Sequence, residues 1–482
     1  MPQKNFFIST AIDYPSDKPH LGHALEKIQA DVLARFKREK GFNVYFSTGT
    51  DEHGQKIERL AEKANKNPQE FVDEIVGFFK KLCKALDISN TDFIRTTEDR
   101  HLKAVETIFK KIYEKGDIYK GQYKGLYCVD CETYYFPKDL TEDGCCPVHL
   151  KKPEEIEEEA YFFKLGKYQE QIIKHIQENK NFIIPESKRN EILNRLREPL
   201  KDLDISRKNV KWGIALPNDS EFTLFVWFDA LTNYLSAIGY PEEKYKDFWP
   251  ADIHLIGKDI IWHHSVIWVG MLLAADLELP RTILAHGFLT TDGQKMSKSL
   301  GNVIDPIVLA EKYGADPVRY FLLREIPAFD DGDFTEEKLK ERYNADLANG
   351  LGNYNSRVLT LAQKLGEIDS EIEQGIKEKV EATKTLVDQK IEEFKLNEAI
   401  SAVWELISLG DKYLNENEVW KISDTEEKGK KLANLVYILV NVAKLLKVFL
   451  PQVSEKILSQ LEIKDDIYTV KKIETLFPRL TS

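Results

Sequence analysis

The pattern that most limits how this chain can fold is written twice, once near the start and again past position 250. "NFFIST" and "NVYFSTGT" are short apolar runs of strand character, and "LEKIQADVLARFKREKG" between them has the spacing of an amphipathic helix ending at Gly41. Strand, helix and strand at this spacing require a crossover connection, so the two strands lie parallel in one sheet. The same grammar returns in "DIHLIG" (252–257) and "TILAHGFL" (282–289), which flank the helix-like "HHSVIWVGMLLAADLE". The expected class is therefore α/β, with a doubly wound, Rossmann-like parallel sheet. Residues 116–230 break the pattern with a cysteine cluster, the acidic run "PEEIEEEA" and short alternating strands such as "FTLFVWF", and read as an insertion splitting that domain. From about 336 strand signals nearly vanish and long amphipathic helices follow, which predicts a C-terminal helical bundle. The expected divisions are 1–115, 116–230, 231–335 and 336–482.

A chain of 482 residues exceeds what one core usually serves, in keeping with several domains. A formal charge of −12 argues against a protein that coats nucleic acid over its whole surface. It leaves room for a local basic face, because phosphate affinity follows local charge. "MPQKNFFIST" lacks the apolar stretch of a signal peptide. The apolar segment 432–450 carries Lys444 and Lys447 with helical spacing, so a buried bundle helix is expected and no membrane span. All five cysteines lie between 83 and 146, four of them within 19 residues. Without a secretion signal, that clustering suggests metal binding before disulfides, and a cytoplasmic protein. Cys128 and Cys131 form a C-x2-C pair, and Cys146 and His149 a C-x2-H pair, the arrangement of a closed, structural Zn2+ site. Cys145 could stand in for Cys146. Cys83, on the apolar face of "FFKKLCKAL", reads as core.

Two short stretches bear on chemistry. In "KPHLGHA" (18–24), His20 and His23 are spaced i, i+3 where a helix opens after the first strand, and Gly22 leaves the backbone approachable. Free N–H groups at such a helix start favour anions, and strand-to-helix turns of doubly wound sheets are where nucleotides bind. "DGQKMSKSLGN" (292–302) alone would be a solvated surface loop. Together, in this order and at opposite ends of a split parallel sheet, the two resemble the HIGH and KMSKS signatures of the class I aminoacyl-tRNA synthetases. Leu21 replaces the usual isoleucine, and Lys295 to Ser299 matches fully. The resemblance implies a loop whose Lys295 and Lys298 close over the triphosphate of ATP. Negative charge builds on the phosphate oxygens and on departing pyrophosphate as a carboxylate attacks the α-phosphorus, and fixed donors stabilise that transition state.

Within the class, the chain resembles the methionyl-tRNA synthetase family along essentially its whole length, through "TAIDYPSDKPHLGHA", "TGTDEHG", "GLYCVDC", "DISR", "VWFDALTNY", "HLIGKDI", "AHGFL" and "GADPVRYFLLREIP". This implies methionine–tRNA ligase activity: methionine and ATP give methionyl-adenylate and pyrophosphate, and methionine then passes to the 3'-terminal adenosine of tRNA(Met), initiator and elongator. Carried over residue by residue, the methionine pocket falls on Ile12, Tyr14, Asp51, Trp227, Ala230, Leu231, Tyr234, Ile260 and His264. Asp51 would hold the ammonium group, and thioether–aromatic contacts would favour sulfur. His263 stands where the family more often has an aromatic or apolar residue. ATP falls on His20, His23, Gly257, Asp259 and Lys298, with Lys295 and the backbone near Phe288 as secondary candidates and Mg2+ carried by the triphosphate. The family's zinc ligand precedes Pro-x-His, which favours Cys146.

The same resemblance makes "ADLANGLGNYNSRVLTLAQ" the first anticodon-domain helix, with Asn353 and Arg357 on one face. Trp420 in "NENEVWK" matches a tryptophan that stacks an unpaired base, although Val419 replaces the usual proline. Family members that continue into a further tRNA-binding and dimerising domain are longer, so a monomer is expected. Valine, isoleucine and leucine enzymes carry far longer insertions than the 115 residues of 116–230. The cysteine enzyme has a metal-binding cysteine near its first strand, where "FFISTAIDY" has none. A catalytically silent tRNA- or zinc-binding relative is the rival from another class, and the intact motifs and Asp51 argue against it.

Overall fold

The computed structural model describes residues 3–130, 133–135, 137–148, 150–208, 210–295, 302–464 and 467–480. It divides into two compact units, each discontinuous in sequence: 1–19, 37–83 and 89–286 form the first, and 20–36, 84–88 and 287–482 the second.

The first unit is organised by one parallel sheet of six strands: β1 (Asn5–Thr10), β2 (Asn43–Thr50), β3 (Asp92–Arg95), β4 (Ile183–Ile184), β5 (Ile253–Gly257) and β6 (Ile283–His286), in the order β3-β2-β1-β5-β6-β4. Ile8 pairs with Phe46 on one side and Ile253 on the other. From β1 the chain winds outward to β2 and β3, and later returns to lay β5 and β6 on the opposite side. β1 and β5 are thus the strands at which the winding direction reverses, and the crevice at their carboxyl ends is where such sheets bind ligands. Both strands read as runs of apolar residues and are buried along nearly their whole length, as in sheets covered on both faces. Phe7 and Ile8 have no exposed surface. The central strands were legible in the sequence, although "TILAHGFL" is not one strand: β6 stops at His286 and Leu289 begins another; β4, paired with β6 through Ile183 and Ile283, was not legible.

Between residues 118 and 224 the chain also forms two antiparallel sheets, with helices Gln169–Glu178 and Glu186–Arg195 among their strands. One has the order Thr133–Tyr135, Ile118–Cys128, Glu154–Phe163, Leu203–Asp204; the other joins Ala215–Leu216, Asp219–Leu224 and Ser206–Arg207. Here one expectation fails. "FTLFVWF" is not a single strand: the strand stops at Leu224 and a helix runs from Val226 to Leu231. Its apolar run is continuous because both the strand end and the following helix are buried, and periodicity cannot separate the two over so few residues.

The second unit is largely helical. Helix α1 (Leu21–Glu39) supplies its first residues, and Asn353–Leu365, Gln374–Glu392, Leu396–Glu416 and Thr425–Leu446 are the long helices of the expected bundle. Asp424 caps the last of these by accepting the Glu427 N–H at 2.7 Å. That helix buries nearly every residue from Leu432 to Ala443. Among the described residues no helix is long and apolar enough to cross a membrane. A buried ion pair ties segments together: the Arg319 and Asp31 side chains, both without exposure, meet at 2.8 Å. Arg319 also donates to the carbonyls of Phe449 (2.8 Å) and Leu86 (3.1 Å), and Asp31 accepts from Arg35 Nε (2.7 Å).

Candidate active site

The HLGH histidines explain their own spacing. His20 precedes the first residue of α1 and its Nδ1 accepts the Gly22 N–H (3.1 Å), while His23 Nδ1 accepts the His20 N–H (3.0 Å). This is a reciprocal helix cap made with imidazoles in place of a hydroxyl and a carboxylate. The rings stack at 3.8 Å and 27°. Burial, helped by nearby Lys27, lowers His23 to about 3, so its ring is neutral at physiological pH. With Nδ1 accepting from the backbone, its proton sits on Nε2. The cap thereby fixes the His23 proton on Nε2 at the start of a helix whose dipole already favours anions.

In the same unit Asp292 and Gly293 both have positive φ (52° and 71°) and join Leu289–Thr291 to Gln294–Lys295 as a tight hairpin. Asp333 holds this turn, accepting from the Gly293 N–H (2.7 Å) and Thr290 Oγ1 (2.8 Å). Burial opposes its ionisation, yet these bonds and Lys338 keep the carboxyl below its ordinary range. Lys295 thus leaves an anchored strand; its side chain and Lys298 lie outside the described residues. Phe288 N–H donates to Asp331 (2.8 Å).

In the first unit the methionine-pocket candidates cluster around the carboxyl ends of β1 and β5. Ile12 and Tyr14 follow β1, where Ala11 N–H donates to Leu255 (3.0 Å), and Lys56 Nζ lies 5.6 Å from the Tyr14 ring centroid. Asp51, buried, follows β2 and its N–H donates to Asp13 (2.8 Å). Gly257 ends β5, and a Cβ there would come within 2.7 Å of Asp259 Oδ1, so those two ATP candidates are neighbours. His264 is buried between Tyr234 and Ile260: its Nδ1 lies 3.0 Å from the Ile260 carbonyl and its Nε2 2.6 Å from Tyr234 Oη. A carbonyl only accepts, so Nδ1 carries the proton and Tyr234 donates to Nε2. Burial lowers His264 to about 4 against the pull of that backbone bond. Tyr234 also packs at 4.0 Å against His254, which burial holds well down. Ala230 and Leu231 are buried on the Val226–Leu231 helix, and Trp227, half-buried there, stacks on His263 at 3.8 Å and 17°. His263 is lowered to about 3 by burial, His264 and Arg195.

Sequence reasoning missed the groups between these residues. Asp229, with no exposure, lies 2.7 Å from His53 Nδ1 and 2.7 Å from His101 Nε2. Glu52, also fully buried, is gripped by both Arg95 nitrogens (2.7 and 2.8 Å), Thr50 (2.6 Å) and Thr97 (2.8 Å). The signal was present: "TGTDEHG" and "VWFDALTNY" contain these residues, but nothing local says that they pair.

Of the zinc candidates, Cys131 and His149 lie outside the described residues. Cys128 ends its strand and is buried, as is Cys146, whose Sγ is 3.7 Å from Tyr135 Oη; Cys145 is partly exposed. Cys146 N–H donates to the Lys151 carbonyl (2.8 Å) and its own carbonyl accepts from Leu150 N–H (2.9 Å). Among the described residues no three His, Cys, Asp or Glu side chains form a metal-binding group. In the bundle, Arg357 lies 5.5 Å from the Trp420 ring centroid and is braced by Asp411 (2.8 Å) and Asn415 (2.7 Å). Trp420 and Asn353 are exposed, whereas Val419 is buried.

This fold and these motifs define a class, and comparison with known proteins agrees. The family described as tRNA synthetases class I (M) matches residues 6–152 and 131–359, and an anticodon-binding domain of tRNA ligases matches 373–477. The chain belongs to the class I tRNA synthetases. Within them it belongs to the methionine–tRNA ligase family. The ligase of Clostridium perfringens is 46% identical over 96% of this chain and 74% of its own length, and that of Thermotoga maritima 42% identical over 95% and 76%. The methionyl-tRNA synthetase of Mycobacterium tuberculosis in complex with methionyl-adenylate superposes with a TM-score of 0.95 at 35% identity, covering 99% of this chain and all of that one.

Proposed function

We propose that this chain activates methionine with ATP and transfers it to the 3'-terminal adenosine of tRNA(Met). The observation that carries this is its full-length likeness to methionine enzymes, including one bound to methionyl-adenylate. In the reaction a methionine carboxylate oxygen bonds to the α-phosphorus as the bond to pyrophosphate breaks. No side-chain base is required, since the carboxylate is already ionised, and the protein's work is positioning and electrostatics.

Asp51 holds the ammonium group by a charge-assisted hydrogen bond. Ile12, Tyr14, Trp227, Ala230, Leu231, Tyr234, Ile260 and His264 surround the side chain. Because Tyr234 and His264 satisfy each other, they offer sulfur a polarizable wall without an unmet hydrogen bond. His20 and His23 bind ATP, and Lys295 and Lys298 neutralise charge as pyrophosphate departs, with Mg2+ entering on the triphosphate; the family resemblance also assigns Gly257 and Asp259 to ATP. Arg357 and Trp420, with Asn353, engage anticodon bases; the guanidinium and the exposed indole form a stacking surface suited to splayed single-stranded loops. Cys128, Cys131, Cys146 and His149 would hold one Zn2+; the burial of the two described thiols fits thiolate ligation, and the metal would serve a structural role.

ATP–pyrophosphate exchange measured with each amino acid tests the reading. Exchange should depend on methionine alone; exchange with none, or with another amino acid, overturns it.

A further inference from the structure

The proposed methionine pocket is assembled from segments far apart in the chain. Asp51 comes from the end of β2, Trp227 from the Val226–Leu231 helix, and Tyr234 from the short helix Asn233–Ala237. Something must fix these segments relative to one another, since about 1 Å of misplacement at a reacting centre can cost two orders of magnitude in rate. A buried polar cluster spans all of them. Asp229 sits two residues after Trp227 and each of its oxygens faces one imidazole at 2.7 Å: His53, two residues after Asp51, and His101, on the helix Asp99–Glu114. His101 continues through Nδ1 to Ser236 Oγ at 2.9 Å, on the helix that carries Tyr234, and Ser236 in turn lies 3.1 Å from the Asn233 carbonyl. Asp229, His101 and Ser236 have no exposed surface, and His53 is 6% exposed.

We infer that Asp229 is a positioning residue for the amino-acid pocket: through His53 and His101 it locks the Asp51 segment to the helices bearing Trp227 and Tyr234. This rests on the pocket assignment made above. The chemistry suits a lock. A carboxylate only accepts, so it can take both imidazole N–H groups at once, and a fixed charge inside the fold makes each bond stronger than a neutral one. Burial opposes ionisation of Asp229, but the adjacent His53 and the hydrogen bonds from both rings outweigh it and hold the carboxyl well below its ordinary range. His53 is braced by its surroundings as well: its ring lies 5.4 Å from that of Trp212, whose Nε1–H donates to the Glu52 carbonyl at 2.6 Å. The His53 end of the lock thus has little freedom of its own, so loosening Asp229 is expressed at the pocket.

Asp229→Asn preserves shape but puts an N–H2 where one oxygen accepted. In exchange assays on the full chain, the KM for methionine should rise about 10- to 100-fold, while the KM for ATP stays within about 2-fold and kcat within about 3-fold. Ser236→Ala, at the far end of the chain of bonds, should raise the methionine KM in the same direction by about 2- to 5-fold while the KM for ATP stays within about 2-fold. Methionine and ATP parameters deteriorating together, or an unchanged methionine KM in both variants, would leave Asp229 as ordinary core and overturn the inference. If Asp229→Asn does not fold, Ser236→Ala alone decides. Failure of the unmodified chain to exchange with methionine is a different result, and overturns the pocket assignment itself.

Discussion

The start of α1 and the amino-acid pocket solve the same problem, holding histidines in one tautomer, by opposite means. At the helix start the histidines' described partners are local: the bonds that set Nδ1 as acceptor run over two and three residues. In the pocket the partners are mostly remote: the Ile260 carbonyl holds His264 locally, but His264 meets Tyr234 across 30 residues, and Asp229 meets His53 and His101 across 176 and 128. A local device can be changed at one residue and disturb only its own chemistry. A remote one transmits a single change to several segments.

The contrast can be tested where the effects are largest. Lys298→Ala should lower the rate of adenylate formation about 10²- to 10³-fold with methionine affinity nearly unchanged. Pre-steady-state burst kinetics and equilibrium methionine binding read the two quantities separately; equal loss of both would remove the distinction between the regions. Asp51→Asn should do the reverse, weakening methionine binding about 10- to 100-fold while the KM for ATP holds.

Acid provides a third test, because the depressed histidines are unevenly distributed. His175, His254, His263 and His264 belong to the first unit and His23 to the second. Each is harder to protonate folded than unfolded, where its value is about 6.5. At neutral pH both states are uncharged and nothing is lost. Below about 6.5 the unfolded chain takes up protons that the fold refuses, and stability falls by up to about 1.4 kcal/mol per pH unit for each such ring, a loss that for His264 levels off near pH 4. Urea midpoints at pH 7 and pH 5 should differ, and His264→Gln should flatten the slope. Tyr234→Phe is the mildest change: loss of one hydrogen bond, about 1 kcal/mol, should raise the methionine KM about fivefold. A value above fifty would mean that the hydroxyl supports more than His264.

The same local-versus-remote contrast explains what could be read from the sequence. The parallel strands, α1, the bundle and the HLGH pair were legible because each is encoded by neighbours or by a short period. Asn353 and Arg357 were placed on one helix face by their spacing, and that helix exists. The helical setting of Trp227 was obscured because strand and helix are both buried there, and Asp229 was passed over because its meaning lies in residues more than a hundred positions away. β4 is only two residues long, too short for any periodicity to register.

Arg319 has a bearing on how this molecule can be taken apart. Its guanidinium is met by a carboxylate near the beginning of the chain and by a carbonyl close to the end. Truncation before Val448 would strand a cation inside protein with part of its solvation shell deleted, an outcome that commonly costs several kcal/mol. A fragment lacking the terminal helices should accordingly be recovered as insoluble material, not as a miniature enzyme.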